Sequence, residues 1–353
     1  MKFNRLALVV FLVLFCGTSP LFASDGPDKP VTPNPSPEAV ELLQYLYSIS
    51  GKHTLTGQHC NPLVGSTRLP AVYKATRKYY PAVFGQDFGF SEPGTWDGIN
   101  YRQQIVDEAI RRHEEGFIIT LMWHAVRPID NEPVTFEESV QGKLTDEQWR
   151  DLVTPGTEIN ERWKSQVDVI AWFVKQLQYA GVPVLWRPYH EMNGDWFWWG
   201  KKASDDGYKK LYRMLFDRLV HFHKLNNLIW VFNANELNEN VDPSDKYFPG
   251  DDVVDVLAID VYRGSYARKD YEQLLALAGD RPIGLGEVGR LPSPDTLRAQ
   301  PRWTWFMSWG DPSGFWMGGP GFLATYESEE ALTLDELPWV KLGQPRIHYP
   351  ILK

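Results

Sequence analysis

The chain has 353 residues, a formal net charge of −9, two cysteines and 14% aromatic side chains, fifteen tryptophans among them. That charge makes nucleic acid and anionic membranes poor partners, and so few cysteines exclude a disulfide framework, which a core of this size does not need. The aromatic surplus points to surfaces that stack on something flat and partly apolar, such as a sugar ring.

Lys2 and Arg5 precede the apolar run Leu6–Cys16, which Gly17, Ser19 and Pro20 break before Ala23. Residues 1–23 read as a cleavable signal peptide, too short to span ~30 Å of hydrocarbon, for which about twenty residues are needed. Phe15 before Cys16 disfavours lipoprotein anchoring, so a secreted or periplasmic protein is expected. Residues 24–37, SDGPDKPVTPNPSP, read as a flexible Pro-rich lead-in. No linker divides residues 38–353, which are expected to form a single domain. Cys60 is then the one remaining cysteine and is read as an inert buried thiol.

Eight short β-rich runs follow: 55–59, 82–87, 117–124, 182–190, 228–235, 256–262, 282–286 and 305–309. The runs FIITLMWH, VPVLWRPYH, LIWVFNAN and VLAIDVY are nearly continuous in apolar residues, as in strands buried on both faces of a parallel sheet. Between them lie helical stripes. Trp163, Val167, Ile170, Val174 and Leu177 form one, stopped by Gly181; Tyr208, Leu211, Leu215, Leu219 and Phe222 form another. Eight β-then-α units predict an α/β fold, a (β/α)8 TIM barrel.

Polar residues gather at the C-terminal ends of the strands: Gln58-His59, Asp87, Trp123-His124, Arg187 to Glu191, Asn233 to Asn235, Asp260 to Tyr262, Glu287 and Trp309. In this fold that rim carries the active site. Glu191 follows the fourth strand and Glu287 the seventh, so the two can converge over the barrel mouth. Paired carboxylates are the apparatus of glycoside hydrolysis, one protonating the leaving oxygen while the other attacks or activates water. Trp196 would desolvate Glu191 and favour its acid form, whereas Tyr262 would hold ionised Glu287 by a hydrogen bond. Gly286 and Gly289 would let substrate approach. Taken singly, either Glu is as well read as one half of an ion pair with Arg187 or Arg290.

WRPYHEMNGDWFWWG (186–200) and GLGEVG (284–289) resemble the two signature regions of the glycoside hydrolase family 26 β-mannanases. GKHTLTGQ, FGQDFGF, TLMWH and FMSWG fit the same family, and the likeness runs from about Glu38 onward. The resemblance implies a retaining hydrolase, with Glu191 as acid/base and Glu287 as nucleophile. His190, where related families have Asn, would contact the sugar hydroxyl beside the reacting carbon. It further implies that Trp196 lines the leaving-group side and that His124, Asp260 and Trp309 line the sugar whose bond is broken. Arg187 would orient the carboxylates, and Tyr262 would bond the nucleophile. No metal or cofactor is implied, and the substrate would be β-mannan or manno-oligosaccharides. A monomer is the default expectation. Trp196, Trp198, Trp199 and Trp309 are expected to supply stacking walls, with two or three touching sugar.

Three rivals stand beside this reading. The same carboxylates would serve mixed-linkage β-1,3-1,4-glucan or β-1,3-xylan. A glycan-binding barrel without catalysis would bind and not turn over. A metal-dependent hydrolase would use His59, Asp87, His124 and His190, although no closely spaced ligand pair is present.

Overall fold

A computed structural model describes residues 28–62, 65–310 and 320–341. The expected signal peptide and the tail from residue 342 lie outside the described residues. Ten strands, all paired in parallel, make the sheet. They are β1 (Thr54–Leu55), β2 (Gly57–His59), β3 (Val83–Phe88), β4 (Ile118–Trp123), β5 (Val184–Pro188), β6 (Leu228–Asn235), β7 (Val256–Val261), β8 (Ile283–Val288), β9 (Trp303–Ser308) and β10 (Ala331–Leu332). β1 and β2 are one stave interrupted at Thr56. β9 pairs with both of them and with β8, so the eight staves close into the expected (β/α)8 barrel. The short β10 adds alongside β1.

The continuous apolar runs hide a period of two. Leu185, Ile229, Val231, Val256 and Ala258 pack in an inner cluster, whereas Val184, Trp186, Leu228, Trp230, Leu257 and Ile259 pack against the helices. Alternate residues of a strand face opposite sides. Continuing the inner rows upward gives Arg187 on β5, Asn233 and Asn235 on β6 and Asp260 on β7, each aimed at the barrel mouth.

The other end of the barrel is closed by the helix Pro37–Ile49, whose Leu42, Leu43, Leu46 and Ile49 join the inner cluster together with Trp339. Ser36 caps it, accepting from Ala39 N at 3.2 Å, and Pro37 fills the first turn, where no amide donor is needed. The lead-in expected to be flexible is tied down from Val31 on: Val31 N donates to Asp255 Oδ1 at 2.6 Å and Ser36 N to Asn226 O at 2.7 Å. A Pro-rich composition marks chain flexibility but does not report the acceptors that a neighbouring surface offers.

The stripe on the helix Glu158–Tyr179 is buried as expected. The next stripe holds through Leu219 and then fails at Phe222, which is 61% exposed. The helix widens into π-type turns over Asp217–Phe222, and the slower turn rotates Phe222 outward, where Arg218 sits 3.7 Å from its ring centre.

Candidate active site

A cleft of about 550 Å3 opens at the C-terminal face of the barrel, lined by both Glu191 and Glu287. The sequence places Glu191 beyond β5, which ends at Pro188. The chain then turns sharply, with Tyr189 at φ 46° and Glu191 at φ 55°. Non-glycine residues with positive φ are held there only by surroundings that over-determine them. Here Trp163 Nε1 donates to Tyr189 Oη at 2.9 Å, Trp199 Nε1 to His190 O at 2.8 Å, and Glu191 N to Asn233 O at 2.8 Å. The Trp199 bond gives one tryptophan of residues 186–200 a structural use at this turn.

The density of tryptophan there is mostly structural. Trp198 and Trp199 are buried; Trp198 Nε1 donates to Ala125 O at 2.7 Å, and Trp199 stacks on Phe197. Of the four expected stacking walls, Trp196 and Trp309 line the cleft. Trp309 is backed by the His59 ring, stacked at 3.7 Å between centres.

The carboxylates have opposed surroundings. Glu191 Oε2 accepts from Trp196 Nε1 at 2.6 Å. Burial, and then the negative charge of Glu287, push its carboxyl up to about 8, although the tryptophan bond, His124 and Arg187 pull the other way. Glu287 is surrounded by donors instead. Arg187 Nη2 donates to Oε1 at 2.9 Å, Tyr262 Oη donates to Oε2 at 2.5 Å, and His190 Nε2 lies 3.7 Å from Oε1. Glu287 was expected after the seventh strand; it lies within β8. Ile259 pairs with Leu285, yet Asp260 pairs with Glu287, so Gly286 is an extra residue that turns Glu287 inward.

The glycines serve a purpose other than the expected approach of substrate. A Cβ on Gly286 would lie 1.8 Å from Asn233 Oδ1 and 2.8 Å from Asp260 Oδ1, so its bareness makes room for groups beneath Glu287. A Cβ on Gly289 would lie 3.0 Å from Tyr262 Cδ1, so that glycine lets Tyr262 lie across it.

Two expected roles change. Asp260 is fully buried and does not line the cleft. It lies under the site, 3.3 Å from Arg187 Nη2, and burial followed by Glu287 pushes its carboxyl well above the ordinary range. Arg187, also fully buried, spans Asn233 Oδ1 (2.8 Å), Asp260 and Glu287; its bonds reach one of the two carboxylates it was expected to orient. Boundary uncertainty hid both depths, because one residue of offset moves a side chain between floor and rim.

His124 and His190 both line the cleft. Burial lowers His124, but the charge and hydrogen bond of Asp87, joined by Glu287 and Asp97, raise it overall; Asp87 takes Nδ1 at 2.5 Å and the backbone N–H at 3.1 Å. Burial, then His124 and Arg187, hold His190 well below its ordinary range, which leaves it neutral beside its charged neighbours. Sequence reasoning missed Phe90, Asp97, Phe136, Gln141 and Phe197 as cleft residues. Asp97 sits in a turn, and Phe136 and Gln141 bound a single π-type turn, Phe136–Val140, none of which has a periodicity to mark it; Phe197 was hidden among the tryptophans.

Among the described residues, His190, Glu191 and Asp260 form the one group able to offer three ligand atoms within 4.8 Å of one another. Arg187 already places a fixed positive charge on Asp260 and Glu287, which opposes a cation there. Of the four ligands a metal-dependent rival would use, His59, Asp87 and His124 lie outside this group.

Comparison with known proteins bears on the family. The model of glycosyl hydrolase family 26 matches residues 31–318. A mannan endo-1,4-beta-mannosidase of Thermothelomyces thermophilus is 36% identical over 317 residues, covering 86% of this chain and 62% of that protein. Mannan endo-1,4-beta-mannosidase A of Piromyces sp is 31% identical, covering 79% of this chain and 45% of that protein. The chain thus spans less than two thirds of the length of these relatives. Among solved structures, GH26A from Muricauda sp. superposes with a TM-score of 0.81 at 43% identity, covering 86% of this chain and 99% of that one. A beta-mannanase from a symbiotic protist of the termite Reticulitermes speratus, complexed with gluco-manno-oligosaccharide, gives 0.76 at 31% identity, covering 88% and 98%. With the family model matching most of its length and the two carboxylates facing one cleft of a (β/α)8 barrel, this chain belongs to glycosyl hydrolase family 26.

Proposed function

We propose that the protein is a retaining endo-β-1,4-mannanase acting on mannan, galactomannan or glucomannan. The observation that carries this is the opposition of environments at the two carboxylates. Glu191 is desolvated and favours its proton, and both oxygens of Glu287 are taken by donors that suit an attacking carboxylate. Mannan is the choice among β-glycans because the similar proteins above carry that activity in their names.

In the first step a Glu287 oxygen bonds to the anomeric carbon while the glycosidic C–O bond breaks. The departing oxygen takes the Glu191 proton. In the second, Glu191 takes a proton from water, the water oxygen bonds to the same carbon, and the bond to Glu287 breaks. Configuration is retained, a course that calls for carboxyls about 5–5.5 Å apart. Tyr262, Arg187 and neutral His190 hold the nucleophile, and Trp196 and Trp309 offer ring faces to the sugars. The signal-like residues 1–23 support a secreted or periplasmic enzyme, and a monomer suffices because every residue named belongs to one barrel.

Reducing-sugar release from unbranched mannan, galactomannan, mixed-linkage glucan and β-1,3-xylan tests the proposal. Release from the mannans is expected, with a fall of at least about a thousandfold in Glu287→Ala and Glu191→Ala. NMR of the first product anomer should show retention. Release from glucan or xylan instead would overturn the substrate, and activity surviving Glu287→Ala would overturn the mechanism.

A further inference from the structure

The loops that carry the two carboxylate environments meet on one dipeptide, Asn235-Glu236, at the end of β6. On one side Asn193, in the Glu191 loop, exchanges hydrogen bonds with Asn235. Asn235 N donates to Asn193 Oδ1 at 2.8 Å, and Asn193 Nδ2 donates to Asn235 O at 2.9 Å. On the other side Glu236 is buried, and its N–H donates to Asp260 O at 2.9 Å. Its carboxylate accepts from the turn after β7: Tyr262 N at 2.9 Å and Arg263 N at 2.8 Å on Oε1, and Ser265 Oγ at 3.0 Å on Oε2. That turn passes through positive φ at Gly264 (66°) and Tyr266 (41°), so the chain curls around the carboxylate and presents its amides to it.

We propose that Glu236 is a positioning residue for the reaction: by fixing the Tyr262 backbone it aims the Tyr262 hydroxyl at Glu287. The inference rests on the glycosidase reading above. Tyr262 is 45% exposed, so packing holds only part of its ring. The ring leans on the bare backbone of Gly289, which offers contact without a side-chain wall. Its hydroxyl nevertheless meets Glu287 Oε2 at 2.5 Å, and a displacement of ~1 Å would break that bond. The amide bonds to a carboxylate are charge-assisted and stronger than neutral ones. Glu236 itself does not line the cleft, so its influence on the chemistry runs through the turn it holds.

A double-mutant cycle tests this on whichever β-glycan the wild-type protein hydrolyses. Glu236→Gln keeps the shape and loses the charge and one acceptor. Its kcat is expected to fall roughly tenfold with KM within about twofold of wild type. Tyr262→Phe falls further, and the double variant should match Tyr262→Phe within about twofold, because no hydroxyl is left to aim. A merely structural role would give additive losses. Ser265→Ala removes one of the three donors without touching charge. It should show a smaller loss that likewise vanishes when combined with Tyr262→Phe, which keeps the test available if Glu236→Gln does not fold. Additive losses, or an unchanged kcat in Glu236→Gln, would overturn the role of Glu236. A wild-type protein that hydrolyses none of the glycans would fail the underlying reading first, before any variant is compared.

Discussion

The Glu191 proton is held by surroundings that act in opposite directions. Burial and Glu287 favour the proton, while the Trp196 Nε1 donor favours the anion. The raised carboxyl is protonated below about pH 8 and lost as an acid above it, so kcat/KM should decline on the alkaline side near that value. Trp196→Phe removes the donor that favours the anion. The alkaline limb should therefore move to higher pH, as a pH–rate profile would show; a shift to lower pH would mean that the ring acts mainly by burial. At this scale the sequence was legible where a residue type has few uses. Glu191, Glu287 and Tyr262 line one cleft, and Tyr262 bonds Glu287. Asp260 and Arg187 were legible as members of the site but not as its floor, because depth depends on one residue of strand offset.

Among the elements, β8 does the least expected thing. Without the extra residue at Gly286, the alternation that buries Ile283 and Leu285 outward would send Glu287 outward as well. A bulge costs one residue and reverses a face, and no period in the sequence reports it. Gly286→Ala should lower kcat at least about a hundredfold, since its Cβ would displace Asn233 from Arg187 and, through Arg187, disturb Glu287. Kinetics with circular dichroism as a control would check this; near-normal kcat would show that the floor can yield. The π-type turns at Asp217–Phe222 were hidden for the same reason, an added residue that breaks a period. Elements without such insertions, above all the helix Glu158–Tyr179, kept the face the sequence assigned.

Over the whole molecule, chemistry and stability occupy opposite ends of the barrel. The (β/α)8 architecture was readable because eight apolar runs alternate with helical stripes; closure at the far end was not, since it depends on contacts distant in sequence such as Tyr45 with Trp339. Asp255 belongs to that end and accepts from Val31 N at 2.6 Å and Trp230 N at 2.7 Å. Asp255→Ala would leave both donors bare, at about 1–3 kcal/mol each. Thermal unfolding should shift down by several degrees while kcat/KM at 25 °C stays unchanged; a loss of activity without a loss of stability would contradict the division. The same division has a practical side. The Cys60 thiol is buried and pushed up to about 12 by desolvation, so it will not couple to reagents. Lys52 is exposed on the turn between the closing helix and β1. A cysteine introduced by Lys52→Cys would be the one reactive thiol among the described residues, and a bead or electrode joined there would hold the protein with its cleft turned toward the solution.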